Sequence, residues 1–142
     1  MKVKTGGFTL IELMLVVIII GVLGAMVLPR LSGRSEQAKA AVAKTDISAN
    51  LATALDLYEL DNGRFPTTEQ GLAALTSKPG DLSDGANWNG PYIKKEPKDP
   101  WGKEYQYKYP ATHEGQDYDL YSLGADGIES DDDIGNWTEK KE

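Results

Sequence analysis

Cysteine is absent from this chain, and histidine occurs once, as His113. The first absence excludes disulfides and thiol chemistry, and the second excludes multi-histidine metal sites. Basic residues are missing from one long stretch, with no lysine or arginine between Tyr109 and Thr138. No glycine-rich phosphate loop occurs, because Gly6-Gly7 lies ahead of an apolar run and lacks a lysine–threonine partner. Ser122 has no nearby base signature, so the chain reads as a protein without catalytic residues rather than an enzyme. The net charge is −7; with Lys2, Lys4 and Glu12 set aside, 13 basic and 21 acidic residues remain from Pro29 onward. That balance speaks against nucleic acid as a partner, since phosphate binding needs clustered cations.

What is present is concentrated at the two ends. From Phe8 to Leu28 the chain is apolar apart from Glu12. A helix of that length rises about 31 Å, enough to cross the hydrocarbon core of a bilayer. Lys2 and Lys4 precede it and favour a cytoplasmic N-terminus. A secretory signal peptide fits poorly, because its cleavage site follows the apolar region and Leu23-Gly24-Ala25 is a weak match. Gly6-Gly7 stands instead before the run, where a cut would remove only the charged leader. A lone carboxylate such as Glu12 costs on the order of 3 kcal/mol in lipid and marks a functional pairing.

The basic leader, Gly7-Phe8-Thr9-Leu10-Ile11-Glu12 and the long apolar run together resemble the class III leader of type IV pilins and their relatives. The resemblance implies that a prepilin peptidase cuts between Gly7 and Phe8 and that the new amine on Phe8 is methylated. It also implies that Glu12 is an assembly residue, meeting the Phe8 amine of a neighbouring subunit in a filament. Many type IV pilins close their C-terminal region with a disulfide, which this chain cannot form.

After the apolar run, Gly21, Gly24 and Pro29 predict an interruption, with the helix resuming at Ser35 as a cap. Ile47, Leu51, Leu55 and Tyr58 recur at helical spacing and predict one core-facing stripe. Asn62 or Gly63 suits a left-handed helix end. Thr67 or Thr68 can cap a short helix beginning at Glu69 and ending before Lys78-Pro79, and residues 79–90 read as a loop. The alternating stretch Tyr105–Tyr109 and the stretch Asp117–Gly124 predict two antiparallel strands, with Ile134 and Trp137 anchoring a last short one. The tyrosines among them read as sheet surface and core, and His113 as a surface loop residue.

Between Asp117 and Asp133 lie Asp117, Asp119, Asp126, Glu129, Asp131, Asp132 and Asp133. A solvated acidic loop is the plain reading. Oxygen-rich clusters of this kind also suit Ca²⁺, which takes 6–8 oxygen ligands. The register is not that of an EF-hand.

Further motifs narrow the resemblance: Tyr58-x-x-Asp61-Asn62-x-Arg64-Phe65-Pro66-Thr67-Thr68-Glu69-Gln70-Gly71-Leu72, Gly90-Pro91-Tyr92-Ile93, Asp99-Pro100-Trp101-Gly102 and Ser122-Leu123-Gly124-Ala125-Asp126-Gly127. These are similar to the major pseudopilins of type II secretion systems, the general secretion pathway protein G family. The resemblance covers nearly the whole chain and is weakest over residues 77–89. It implies an α+β fold: a long N-terminal transmembrane helix continuing into a small domain with a short helical segment and an antiparallel sheet. The expected divisions are a leader at 1–7, a transmembrane and assembly helix at 8–28, the periplasmic half of the long helix at 29–63 and a globular domain at 64–142.

The family's calcium loop matches Leu123–Ile128 and Asp132–Trp137. It carries the metal to the carboxylates of Asp126, Asp132 and Asp133 and the carbonyls of Leu123 and Ile128, leaving Ala125 open as a further carbonyl and Asp131 as an alternative to Asp132. The expected role is that of an inner-membrane, single-pass subunit polymerising into a periplasmic pseudopilus that exports folded proteins. The expected partners are further copies of the chain, prepilin peptidase, minor pseudopilins and the inner-membrane assembly platform. The alternative, a type IV or competence pilin subunit, would bring a cysteine pair or a basic tip, and the chain has neither.

Overall fold

The computed structural model describes residues 7–82, 87–131 and 133–137, and for residues 27–32 the backbone alone. The chain divides into two compact units, Met1–Gln37 and Ala38–Glu142. Helix α1 spans Leu10–Thr45. Its apolar residues from Leu10 to Met26 are exposed on every side, so the face-by-face polarity of a surface helix is absent here. Among the described residues no helix is long and apolar enough to cross a membrane.

The expected interruption between Gly21 and Pro29, with Ser35 as a new cap, is not found. The helix passes through all three positions without a break. Proline forfeits one hydrogen bond and crowds the turn before it. Helix propagation through long flanks, alanine-rich beyond Gln37, outweighs that local loss. The irregularity lies further on, in a π-helical segment at Asp46–Leu51. There the hydroxyls of Thr45 and Ser48 donate to the carbonyls of Ala41 (2.9 Å) and Lys44 (2.7 Å). Such bonds compete with the backbone ladder and loosen it.

Helix α2 (Ala52–Asn62) follows and ends where Gly63, at φ 73°, donates its N–H to the Glu59 carbonyl. That conformation suits glycine and closes the helix as the sequence suggests. The stripe Ile47, Leu51, Leu55 and Tyr58 is buried throughout and forms the helical side of the core. The second helical piece is shorter than expected, a single 3₁₀ turn at Leu72–Leu75. Thr67 and Gln70 bond reciprocally, Thr67 N to Gln70 Oε1 and Gln70 N to Thr67 Oγ1, which stabilises the turn ahead of it. Gly71, at φ 56°, then turns the chain before any α-helix can extend from Glu69.

Three antiparallel strands complete the second unit: β1 (Gln106–Lys108), β2 (Asp119–Ser122) and β3 (Ile134–Gly135), in the order β1-β2-β3. Tyr107 lies opposite Leu120, and Tyr121 opposite Gly135. Tyr105, Tyr107, Tyr118 and Leu120 join the helical stripe with Phe65 and Leu75 in one core. The sheet thus carries the acidic loop directly between β2 and β3.

Candidate functional site

At the N-terminal end, Gly7 and Phe8 are exposed and precede α1. Phe8 is 83% exposed. Thr9 and Glu12 form a capping box at the start of the helix. Thr9 N donates to Glu12 Oε2 at 2.9 Å, its hydroxyl donates to the same oxygen, and Glu12 N donates to Thr9 Oγ1. The arrangement satisfies free N–H groups and places a negative charge at the positive end of the helix. Sequence reasoning pairs Glu12 with a Phe8 amine, of its own helix or, as the resemblance implies, of another subunit. The Thr-x-x-Glu spacing ahead of an apolar run is the signal for this local role.

At the other end, the loop after β2 is fixed from below by a buried carboxylate. Asp99 is 4% exposed. It accepts hydrogen bonds from Trp101 N (3.0 Å), Lys103 N (2.8 Å) and Ser122 Oγ (2.6 Å). Ser122 Oγ in turn accepts from Gly124 N, the first turn of the loop. The Asp-Pro-Trp-Gly and Ser-Leu-Gly motifs are therefore one structure: Asp99 ties the 99–103 turn to the root of the acidic loop. In the sequence the two motifs stand apart, with nothing to join them.

Leu123–Ile128 then folds back on itself. Gly124 and Gly127 take φ of 63° and 71°, Gly127 N donates to the Leu123 carbonyl, and Ile128 N to Asp126 Oδ1 at 3.1 Å. The return strand is held just as closely. Lys44 Nζ donates to the Gly135 carbonyl at 2.6 Å. Asn136 donates from its side chain to Tyr118 O and accepts from Leu120 N. Trp137 lies over Gly135, where a Cβ would come 2.6 Å from the indole ring, and stacks on His113 at 3.7 Å.

The clustered acids differ in burial and in their partners. Asp119 is buried and bound by Thr112 N, Thr112 Oγ1 and His113, with His113 Nδ1 3.1 Å away. Burial works to raise its pKa, but these hydrogen bonds together prevail and hold it below the ordinary value. Asp117, Asp126, Glu129 and Asp131 are exposed, Asp133 is half-buried, and Glu129 pairs with Lys108 at 3.7 Å. Asp119, Glu129, Asp131 and Asp133 line one open cleft of about 840 Å³ with Lys108, His113, Tyr121 and Trp137.

Of the expected metal ligands, Leu123, Asp126 and Ile128 share one turn and Asp133 lies before β3, whereas Asp132 falls outside the described residues. Among the described residues no group of three or more histidine, aspartate or glutamate side chains is gathered to hold a metal ion. The donor set at Leu123, Asp126, Ile128 and Asp133 is all oxygen, which fits a hard cation such as Ca²⁺. A cation already lies against this turn: a Cβ on Gly127 would collide with Lys103 Nζ and stand 2.7 Å from its Cε.

Burial pushes the Tyr105 phenol up, and Asp46, which accepts its hydrogen bond, adds to the effect. Tyr118 is pushed up to about 12, chiefly by burial and then by Asp56 and the other nearby acids. Both phenols stay neutral; Tyr105 packs and donates a hydrogen bond, and Tyr118 packs in the core.

The family described as type II secretion system (T2SS), protein G matches residues 30–137, and the prokaryotic N-terminal methylation motif matches residues 2–28. The chain is 54% identical over 139 residues to the type II secretion system core protein G of Pseudomonas aeruginosa, covering 94% of this chain and 96% of that one. It is 52% identical over 134 residues to the protein of the same description from Klebsiella pneumoniae, covering 93% and 94%. The crystal structure of the major pseudopilin from the type 2 secretion system of enterohaemorrhagic Escherichia coli superposes with a TM-score of 0.67 at 40% identity, covering 79% of this chain and 95% of that one. With the methylation motif at one end and the protein G region over the rest, the chain belongs to the type II secretion system protein G family.

Proposed function

We propose that this chain is the structural subunit of a type II secretion pseudopilus. It is made as a precursor, cut between Gly7 and Phe8 by a prepilin peptidase and methylated on Phe8. Residues 8–28 anchor it in the inner membrane as a single pass, and the C-terminal domain faces the periplasm. Copies polymerise with minor pseudopilins on the inner-membrane assembly platform, and filament growth drives folded proteins through the outer membrane. The observation that carries this reading is an apolar helix exposed on every side, joined in one chain to the compact α+β unit of its family. An uncovered helix of this kind requires lipid or neighbouring helices to remove it from water. Transfer from lipid into a filament core exchanges one cover for the other.

Glu12 belongs to the same mechanism. In the precursor its carboxylate is held by Thr9. Cleavage creates a cation on Phe8, and the Glu12 of an adjoining subunit is its partner in the filament. Calcium enters at the other end of the chain. The carboxylates of Asp126, Asp132 and Asp133 and the carbonyls of Leu123 and Ile128 would hold it. Its positive charge would offset the repulsion of the clustered acids and fix the 123–134 connection against the sheet.

The test is secretion in a strain lacking its own copy of this chain. The native chain is expected to restore release of an exported enzyme to the medium. Glu12→Ala is expected to be processed normally yet to leave the enzyme in the periplasm. Full secretion by Glu12→Ala would contradict the assembly role.

A further inference from the structure

We propose that Lys103 is an internal counter-cation of the Leu123–Ile128 loop, competing with calcium there and lowering the affinity of the site. The inference rests on the calcium reading above and adds to it a residue that sets how tightly the metal is held. Between Tyr109 and Thr138 the chain has no lysine or arginine of its own. The fold brings Lys44 to the Gly135 carbonyl, Lys108 to Glu129 and, from 24 residues upstream, Lys103 to Gly127. Asp99 accepts the Lys103 N–H, and Gly102, at φ 86°, turns the chain so that the side chain runs toward the loop. A Cβ built on Gly127 would lie 3.2 Å from Lys103 Cδ and 2.7 Å from Cε and would collide with Nζ. The ammonium therefore rests directly on the backbone of Gly127, next in sequence to Asp126.

Gly127 combines a left-handed φ with the absence of a side chain, and both are needed for the lysine to lie there. An aliphatic stem covering a glycine would account for the packing alone. The charged end is what bears on the metal. A positive charge on this turn offsets the acids when calcium is absent and repels a divalent cation when it arrives. The two effects have the same origin, so they must change together when the charge is removed.

The experiment uses the full chain in detergent, stripped with chelator, and measures CaCl2 binding by calorimetry alongside the metal-free melting temperature. Lys103→Met keeps the stem and removes the charge, whereas Lys103→Arg keeps the charge. Lys103→Met is expected to bind calcium about three- to tenfold more tightly than the native chain, on the scale of one nearby unit charge, and to melt lower without metal. Raising the salt is expected to shrink the difference, because partly exposed charges are screened. Lys103→Arg is expected to follow the native chain. Equal calcium affinities for Lys103→Met and the native chain would overturn the role of Lys103 while leaving the calcium site in place. Binding seen only in Lys103→Met would support the competition in its strongest form, and binding in neither would overturn both readings.

Discussion

Asp119 lies in a run of acids, yet its carboxylate is committed to Thr112 and His113 and is 1% exposed. Sequence proximity places it among candidate ligands, whereas burial makes it a structural residue that closes the 112–118 loop onto β2. Its pKa is depressed in the folded chain from an ordinary value of 3.8. A depressed carboxylate contributes stability above its unfolded pKa, and the contribution is lost as pH falls through the folded value. Asp119→Asn is therefore expected to lower stability near neutral pH and to flatten the loss of stability below about pH 4. Chemical denaturation across that range checks it. An unchanged acid profile in Asp119→Asn would show that Asp119 is not among the groups whose protonation unfolds the protein. Glu12 shows the complementary case: its bonds to Thr9 follow the Thr-x-x-Glu spacing, and a partner on another subunit belongs to the function proposed above.

At the scale of elements, the core stripe separates cleanly from the opposite face of the same helix. Leu55 is fully buried, whereas Leu60, in the same helix, is 80% exposed. Leu55→Ala is expected to cost about 2–5 kcal/mol, through lost transfer energy and the cavity left behind. Leu60→Ala is expected to stay within about 0.5 kcal/mol in the unassembled chain. Urea unfolding of both variants checks the contrast, and comparable losses would mean that the stripe is wrongly placed.

This stripe was legible in the sequence because helical periodicity is local. β1 and β2 were legible as stretches bounded by turn residues, and β3 through Ile134. The π-helical segment was not, because it depends on which carbonyls the Thr45 and Ser48 hydroxyls select. The break expected from Gly21, Gly24 and Pro29 does not form, because propagation through the long helical flanks outweighs these local penalties. In the candidate site, Gly7, Phe8 and Glu12 stand in one contiguous motif. The links from Asp99 to Ser122 and from Lys103 to Gly127 join residues more than twenty positions apart, and no local pattern encodes them.

At the scale of the whole molecule, the absence of cysteine leaves the core and, on the calcium reading proposed above, a bound cation to hold the C-terminal connection. Calcium binding to the native state alone adds RT ln(1 + [L]/Kd), about 2.7 kcal/mol at 100-fold excess over Kd. For a domain of this size, chelator is expected to lower the melting temperature by on the order of 10 °C. Asp126→Ala and Asp132→Ala are expected to reproduce the loss, and Asp117→Ala to have less effect. Identical melting curves with calcium and with chelator would return the loop to a solvated acidic surface.

In the proposed function, assembly depends on the opposite end of the chain, where the leader is removed to create the Phe8 amine. Mass spectrometry of the protein extracted from the inner membrane tests that most directly. The account predicts a chain that begins at Phe8 and carries one methyl group on its terminal amine; a terminus intact at Met1 or Lys2 would contradict it.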